Sequence, residues 1–192
     1  MTKATDNSIM TTAIDLFKAQ QFEQVTVNDI CQACGITKPT FYYHFSNKDQ
    51  LISRYFRGLV EQLPAQLQRQ NGTQNPLERI YDFFQQTIQV IQTLGPDLYS
   101  QLYISNLKTN QHTFDFSEAI NKYVTELISQ AQASGLINNP ASAVTLYRNS
   151  VFLFEGYEIN WCFQKGEFDA FSATKQGLAV LFVTTDVKDT TH

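Results

Sequence analysis

Positive charge is scarce in this sequence: 14 Lys and Arg stand against 18 Asp and Glu, a formal net charge of −4. A polyanionic partner held by bulk charge alone is thereby excluded. Long apolar runs are missing too. None approaches the roughly 18 residues that span a bilayer, and the polar start MTKATDNS has no signal-peptide core, so no membrane partner and a cytoplasmic location are expected. The three cysteines, Cys31, Cys34 and Cys162, and the three histidines, His44, His112 and His192, are scattered. They do not make the set of about four ligands that zinc requires, and no metal site is expected. A glycine-rich phosphate loop, a G-x-S-x-G elbow and paired metal-binding histidines are all lacking, so neither catalysis nor a cofactor is expected. No strand pattern and no internal repeat stands out.

What the chain has is apolar bulk in helical order. Over 192 residues it is 43% hydrophobic and 13% aromatic, enough for a buried core and not the composition of a disordered chain. The most informative stretch runs from Thr26 to Leu51. Thr26 and Asp29 form a capping box, and Val27, Ile30 and Cys31 or Cys34 follow at helical spacing. Gly35 ends that short helix, as the residue that tolerates a left-handed C-terminus. Thr37 then caps a second helix from Lys38 to Phe45, with Pro39 in the first turn. Phe41 and Phe45 share its inner face, while Lys38, Thr40, Tyr42, Tyr43 and His44 are left for the other. Two short helices around a tight turn make a helix-turn-helix, and an outer face of phenols, hydroxyl, imidazole and ammonium suits DNA better than it suits water. Ser46 and Asp49 read as a third capping box, placing Lys48 in a first turn that favours phosphate.

This run resembles the DNA-binding head of the TetR family of transcriptional repressors. The likeness is carried by Thr26, Asp29-Ile30, Gly35-Ile36-Thr37, Phe41-Tyr42, His44-Phe45, Lys48 and Leu51, and covers about the first 55 residues. It implies that Thr37, Lys38, Thr40, Tyr42, Tyr43 and His44 face DNA, and that Thr26, Tyr42 and Lys48 hold phosphates. Asn28, also assigned to the DNA face, stands where the family often carries a basic residue, and Cys34 where alanine is usual. The resemblance further implies an effector-released regulator, a repressor, that binds a palindromic operator as a homodimer. The charge balance asks for the same pairing. Lys3, Lys18, Lys38, Lys48 and Arg54 are matched by Asp6, Asp15, Glu23, Asp29 and Asp49, so a neutral head makes few phosphate contacts and needs a second copy for useful affinity.

The expected architecture is all-α, with a three-helix DNA-binding domain over residues 1–47 and a helical effector-binding and dimerisation domain over 48–192. The first helix spans Ser8 to Gln20. A rigid rod follows from Asn47 to Leu63, with Pro64 ending or kinking it. Further helices start at Asn75-Pro76, Asp97, Asp115 with Glu118, Asn139-Pro140, and Asp169, the last ending near Thr185. A polar loop over 70–74 and a frayed tail from Lys188 are expected. Phe84, Tyr99, Tyr103, Phe116, Tyr123 and Trp161, with Glu158 as a polar anchor, are candidate walls of a pocket for a small apolar or cationic effector. Aromatic residues at this spacing serve equally well as plain core. The segment from Val151 to Phe163 is apolar around much of its circumference, which points to a partner on one side. Val151, Phe154, Gly156, Gly177, Leu178 and Leu181 are the candidate dimer contacts, the two glycines permitting close helix approach. Two alternatives stay open: a protein-interaction module using Tyr42-Tyr43-His44, and a redox sensor using Cys31 and Cys34, which otherwise serve as small apolar core residues.

Overall fold

The computed structural model describes residues 5–70 and 74–184, and every regular element among them is a helix. There are ten: α1 Asp6–Gln20, α2 Val27–Cys34, α3 Lys38–His44, α4 Lys48–Val60, α5 Leu63–Gln70, α6 Pro76–Leu94, α7 Pro96–Lys108, α8 Glu118–Ala133, α9 Ala143–Phe163 and α10 Ala170–Phe182. The fold is all-α, as expected. Of the loop expected over 70–74, Gln70 closes α5 and residues 71–73 lie outside the described residues, as do the end of the last helix at Thr185 and the tail from Lys188.

The chain forms two compact units. The first holds residues 1–60 and 90–115, the second 61–89 and 116–192. The whole of the expected head, 1–47, falls within the first unit. There α1 begins two residues earlier than expected, because Thr5 and Ser8 close a reciprocal capping box. Its Ile9, Ala13, Ile14 and Phe17 are buried. The Thr26 and Asp29 capping box opens α2. Gly35 closes it at φ 64°, and the Ile36 N–H donates back to the Cys31 carbonyl at 2.9 Å. Thr37 caps α3 by accepting from the Thr40 N–H.

The start of α4 differs by one residue. Asn47, not Ser46, is the cap: its Oδ1 accepts from the Gln50 N–H at 2.7 Å, while the Gln50 side chain accepts from the Ser46 N–H. The rod is also shorter than expected. It stops at Val60, a turn follows at 61–62, and Pro64 sits in the first turn of α5, where its missing N–H breaks no bond. Pro64 was expected to end or kink the rod, and instead it opens a new helix.

In the second unit, α6 starts at the Asn75 and Glu78 pair as expected, each side chain meeting the other's backbone N–H. Two caps were misplaced by sequence. Ser117 rather than Asp115 caps α8, and Ser142 rather than Asn139 caps α9. Asn139 is drawn off because its amide donates to the Leu181 carbonyl at 2.8 Å and its Oδ1 accepts from the Ala141 N–H at 3.0 Å, tying the loop to the end of α10. α9 and α10 run antiparallel. Gly177 lies against Leu153 and Tyr157, and Tyr157 against Phe168 further back in the chain.

Candidate nucleic-acid interface

α3 is only seven residues long, so its orientation depends on what anchors it. Phe41 and Phe45 are fully buried and face each other at 5.8 Å. That fixes which side turns out. Tyr42 is 55% exposed and Tyr43 85%, and Thr37, Lys38 and Pro39 are exposed beside them. Thr40 is half-buried, its hydroxyl 2.8 Å from that of Thr37. Asn28 and Thr26, at the start of α2, are exposed, although the Thr26 hydroxyl already donates to Asp29 at 2.7 Å.

Two of the expected DNA residues have internal partners that sequence did not show. His44 is half-buried, and its Nδ1 lies 2.6 Å from the Asp6 carboxylate at the start of α1. Arg54 of α4 bonds the same carboxylate, donates to the His44 carbonyl at 2.9 Å and lies over the Phe45 ring at 4.9 Å. Asp6 therefore joins α1, α3 and α4. Burial pulls its carboxyl up, but the hydrogen bonds and charges of Arg54 and His44 outweigh this and hold it below the ordinary carboxylate range. An open groove lined by Pro39, Thr40, Tyr43, His44 and Arg54 lies beside the network. A long-range tie of this kind, across 38 residues, leaves no trace in local spacing.

Lys48 is the second case. Its ammonium donates to the carbonyls of Phe22 at 2.8 Å and Val25 at 2.6 Å and sits 4.3 Å from the Phe22 ring. Of its three N–H donors, one is left for a phosphate. Lys38 is the exposed ammonium on α3 itself. Burial pushes both the Cys31 and Cys34 thiols above their ordinary range, which disfavours the thiolate that redox chemistry needs.

These observations meet the comparisons with known proteins. A family model described as bacterial regulatory proteins, tetR family, matches residues 9–55, the stretch that builds α1 to α3 and enters α4. The chain is 30% identical over 81 residues to the HTH-type transcriptional repressor KstR2 of Mycobacterium tuberculosis, covering 42% of this chain and 40% of that protein. It is 36% identical over 73 residues to the HTH-type transcriptional regulator EthR of Mycolicibacterium smegmatis, covering 32% and 34%. Thermus thermophilus FadR, a TetR-family repressor solved with lauroyl-CoA, superposes with a TM-score of 0.70 over 92% of this chain and 93% of its own, at 17% identity. Residues 9–55 are thus similar to the head of the tetR family of bacterial regulatory proteins, and the whole chain shares its fold with solved members. The sequence matches span about two fifths of the relatives' length, while the shared fold extends over both units.

The remaining expected sites are distributed as follows. Tyr99 and Tyr103 lie in the first unit, where Tyr103 stacks on Phe114 at 4.5 Å and Tyr99 meets Phe56 at 5.5 Å. Phe84, Phe116, Tyr123, Glu158 and Trp161 lie in the second. There Phe84 meets Phe154 at 5.4 Å and Phe116 meets Phe83 at 6.0 Å. Glu158 is fully buried, and among the described residues neither carboxyl oxygen has a hydrogen-bond partner. Burial alone pushes it up to about 8.

The candidate dimer residues need correction. Phe154 and Leu178 are buried within their own unit, so neither is on a surface a second copy could reach. Gly177 serves packing inside the chain, since a Cβ there would stand 2.8 Å from Leu153. Val151 and Leu181 are half-buried. Gly156 is exposed, and the open apolar faces carry Phe152, Phe163 and Val180 instead. Spacing alone could not choose among the faces of a helix apolar on most sides.

Proposed function

We propose that this protein is a transcriptional regulator, a repressor, that binds a palindromic double-stranded operator as a homodimer and is released by a small apolar or cationic effector. The observation that carries the reading is the outward face of α3: Lys38, Tyr42 and Tyr43 exposed above a buried Phe41 and Phe45. Phenols and hydroxyls at base edges, with the Lys38 ammonium and one remaining donor of Lys48 on backbone oxygens, supply contact without bulk charge. Thr26, Asn28, Thr37, Thr40, His44 and the remaining donor of Lys48 complete the proposed surface.

The homodimer reading is supported by Phe152, Phe163 and Val180, large apolar side chains exposed on α9 and α10 with Gly156 among them. Two heads presented together read half-sites about one DNA turn apart or a multiple of it. The effector acts by changing that spacing, and a coupling of about 1 to 3 kcal/mol lowers operator affinity about 5 to 150-fold. The function places the protein where the chromosome is, in the cytoplasm.

Gel-shift of the purified protein on DNA flanking its own gene tests the reading. A retarded, palindrome-dependent complex is expected. Lys38→Ala should flatten the dependence of log affinity on log salt by about one per head, and Tyr43→Ala should weaken binding with its fold retained. Binding that is unchanged by both substitutions would remove α3 from the interface.

A further inference from the structure

Asp6 settles which nitrogen of His44 carries the proton. The imidazole Nδ1 lies 2.6 Å from the Asp6 Oδ1, and an ionised carboxylate can only accept. Burial pulls the Asp6 carboxyl up, but Arg54 and His44 hold it below the ordinary carboxylate range, so it is ionised near neutral pH. Nδ1 therefore donates to it. A neutral His44 is then left with a bare Nε2, an acceptor that has no hydrogen-bond partner among the described residues.

His44 borders the open groove with Thr40, Tyr43 and Arg54, and 18% of its side chain is exposed. Arg54 spends one N–H on the His44 carbonyl and one on Asp6, which leaves three of its five donors. Holding helices together needs only Asp6 and Arg54. His44 adds a group whose charge can change. With His44 neutral, Asp6 and Arg54 cancel, and an arriving anion meets a lone pair and a carboxylate. With His44 protonated the three sum to plus one, and Nε2 becomes a donor. A phosphodiester oxygen only accepts, so it fits the second state and not the first. The charged and titratable groups described against His44 are Asp6 from α1, Arg54 from α4 and Tyr43 from α3 itself, its ring edge-on at 5.1 Å. Of these side-chain types only histidine ordinarily changes charge between pH 6 and 8.

We propose that operator binding takes up a proton at His44: a backbone phosphate enters the groove between Arg54 and His44, and only the imidazolium can hold it, because Asp6 has claimed the other nitrogen. Asp6 is a positioning residue and Arg54 a phosphate contact. The inference rests on the regulator reading above and adds the proton as a second ligand of its DNA-binding step. The phosphate's charge favours the imidazolium in return, so each ligand tightens the other. Affinity is greatest at low pH and falls as pH rises through the range in which a histidine gives up its proton.

The test measures affinity of the full-length protein for the duplex flanking its own gene, at fixed ionic strength, from pH 6.5 to 8. The wild type should weaken about fivefold or more per head over that span. Asp6→Asn is the telling variant. Asparagine keeps an acceptor for Arg54 but also offers an N–H to Nδ1, so a neutral His44 can carry its proton on Nε2 and donate to phosphate. The pH dependence should flatten, with binding at pH 8 tighter than that of the wild type. Asp6→Asn weakening the complex equally at every pH would reduce the trio to a structural tie and overturn the proposal. Nitrogen-15 NMR of histidine-labelled protein without DNA reads the tautomer directly, with His44→Gln assigning the signal. The Nδ1–H form is expected at pH 8, and the Nε2–H form overturns the proposal even if Asp6→Asn folds poorly. Duplex affinity that is constant from pH 6.5 to 8 overturns this inference and leaves the regulator reading standing. No binding at any pH overturns both.

Discussion

At the scale of single residues, Glu158 departs furthest from ordinary side-chain behaviour. Its carboxyl is pushed up to about 8 by burial, against an unfolded value near 4.5. Between those values the folded state binds the proton and the unfolded state does not. Its contribution to stability is therefore whole below about pH 4.5 and is lost as pH rises through 8, at about 1.4 kcal/mol for each pH unit in that window. Glu158→Gln removes the titration, so thermal melts without ligand should show the variant gaining on the wild type steadily from pH 5 to 8. A constant difference across that range would mean that the carboxyl is not held neutral. Arg54 makes a contrasting case. Its pair with Asp6 is partly exposed, and removing it by Arg54→Ala should cost less than about 1 kcal/mol of stability. Operator affinity should fall severalfold nonetheless, because the same side chain holds the His44 carbonyl and covers Phe45. Gel-shift and melts on one preparation separate the two effects.

At the scale of elements, the two glycines at helix positions of opposite character give opposite expectations. Gly35 holds φ 64° at the end of α2, where an L side chain is strained, so Gly35→Ala should destabilise by about 1 kcal/mol. Gly156 is mid-helix with nothing within 4 Å of a Cβ, so Gly156→Ala should stabilise an isolated chain by about 0.5 to 1 kcal/mol. Dilution from a dimer tests the second: if a partner helix crosses at Gly156, the alanine instead weakens association. Local chemistry made the head readable. Thr26 with Asp29, Gly35 and Thr37 each announce a helix end within four residues, and those ends are where the structure has them. Reading failed where a cap residue had a distant partner. Asn139 looks like an N-cap until its amide is seen on Leu181, 42 residues away. The break after Val60 was missed for a related reason: Pro64 ends one helix or opens the next by the same lack of an N–H, and sequence cannot choose. Likewise, the unbonded Glu158 was visible only as an acid among aromatics, and its isolation needed coordinates.

At the scale of the molecule, the proposed function depends on pairing. Phe152 stands 63% exposed on α9, and Phe152→Glu should yield a monomer by analytical ultracentrifugation, with operator affinity falling toward that of a single head. A persistent dimer would move the interface elsewhere. The charge ledger bears on the same question. Asp6 is committed to Arg54 and His44, and Lys48 gives two of its donors to carbonyls, so each head offers little free positive charge. With fewer than about six phosphates neutralised by a dimer, the slope of log affinity against log salt should be shallower than about −5.

The tethering of Lys48 by Phe22 and Val25 also bears on tempo. A protein without a forward-reaching field finds its target by unguided collision, at the ~10⁵ to 10⁶ M⁻¹s⁻¹ typical of neutral partners. Under the proposed repressor function, occupancy of a promoter then comes from slow departure, so that a gene once silenced stays silent for the lifetime of the complex.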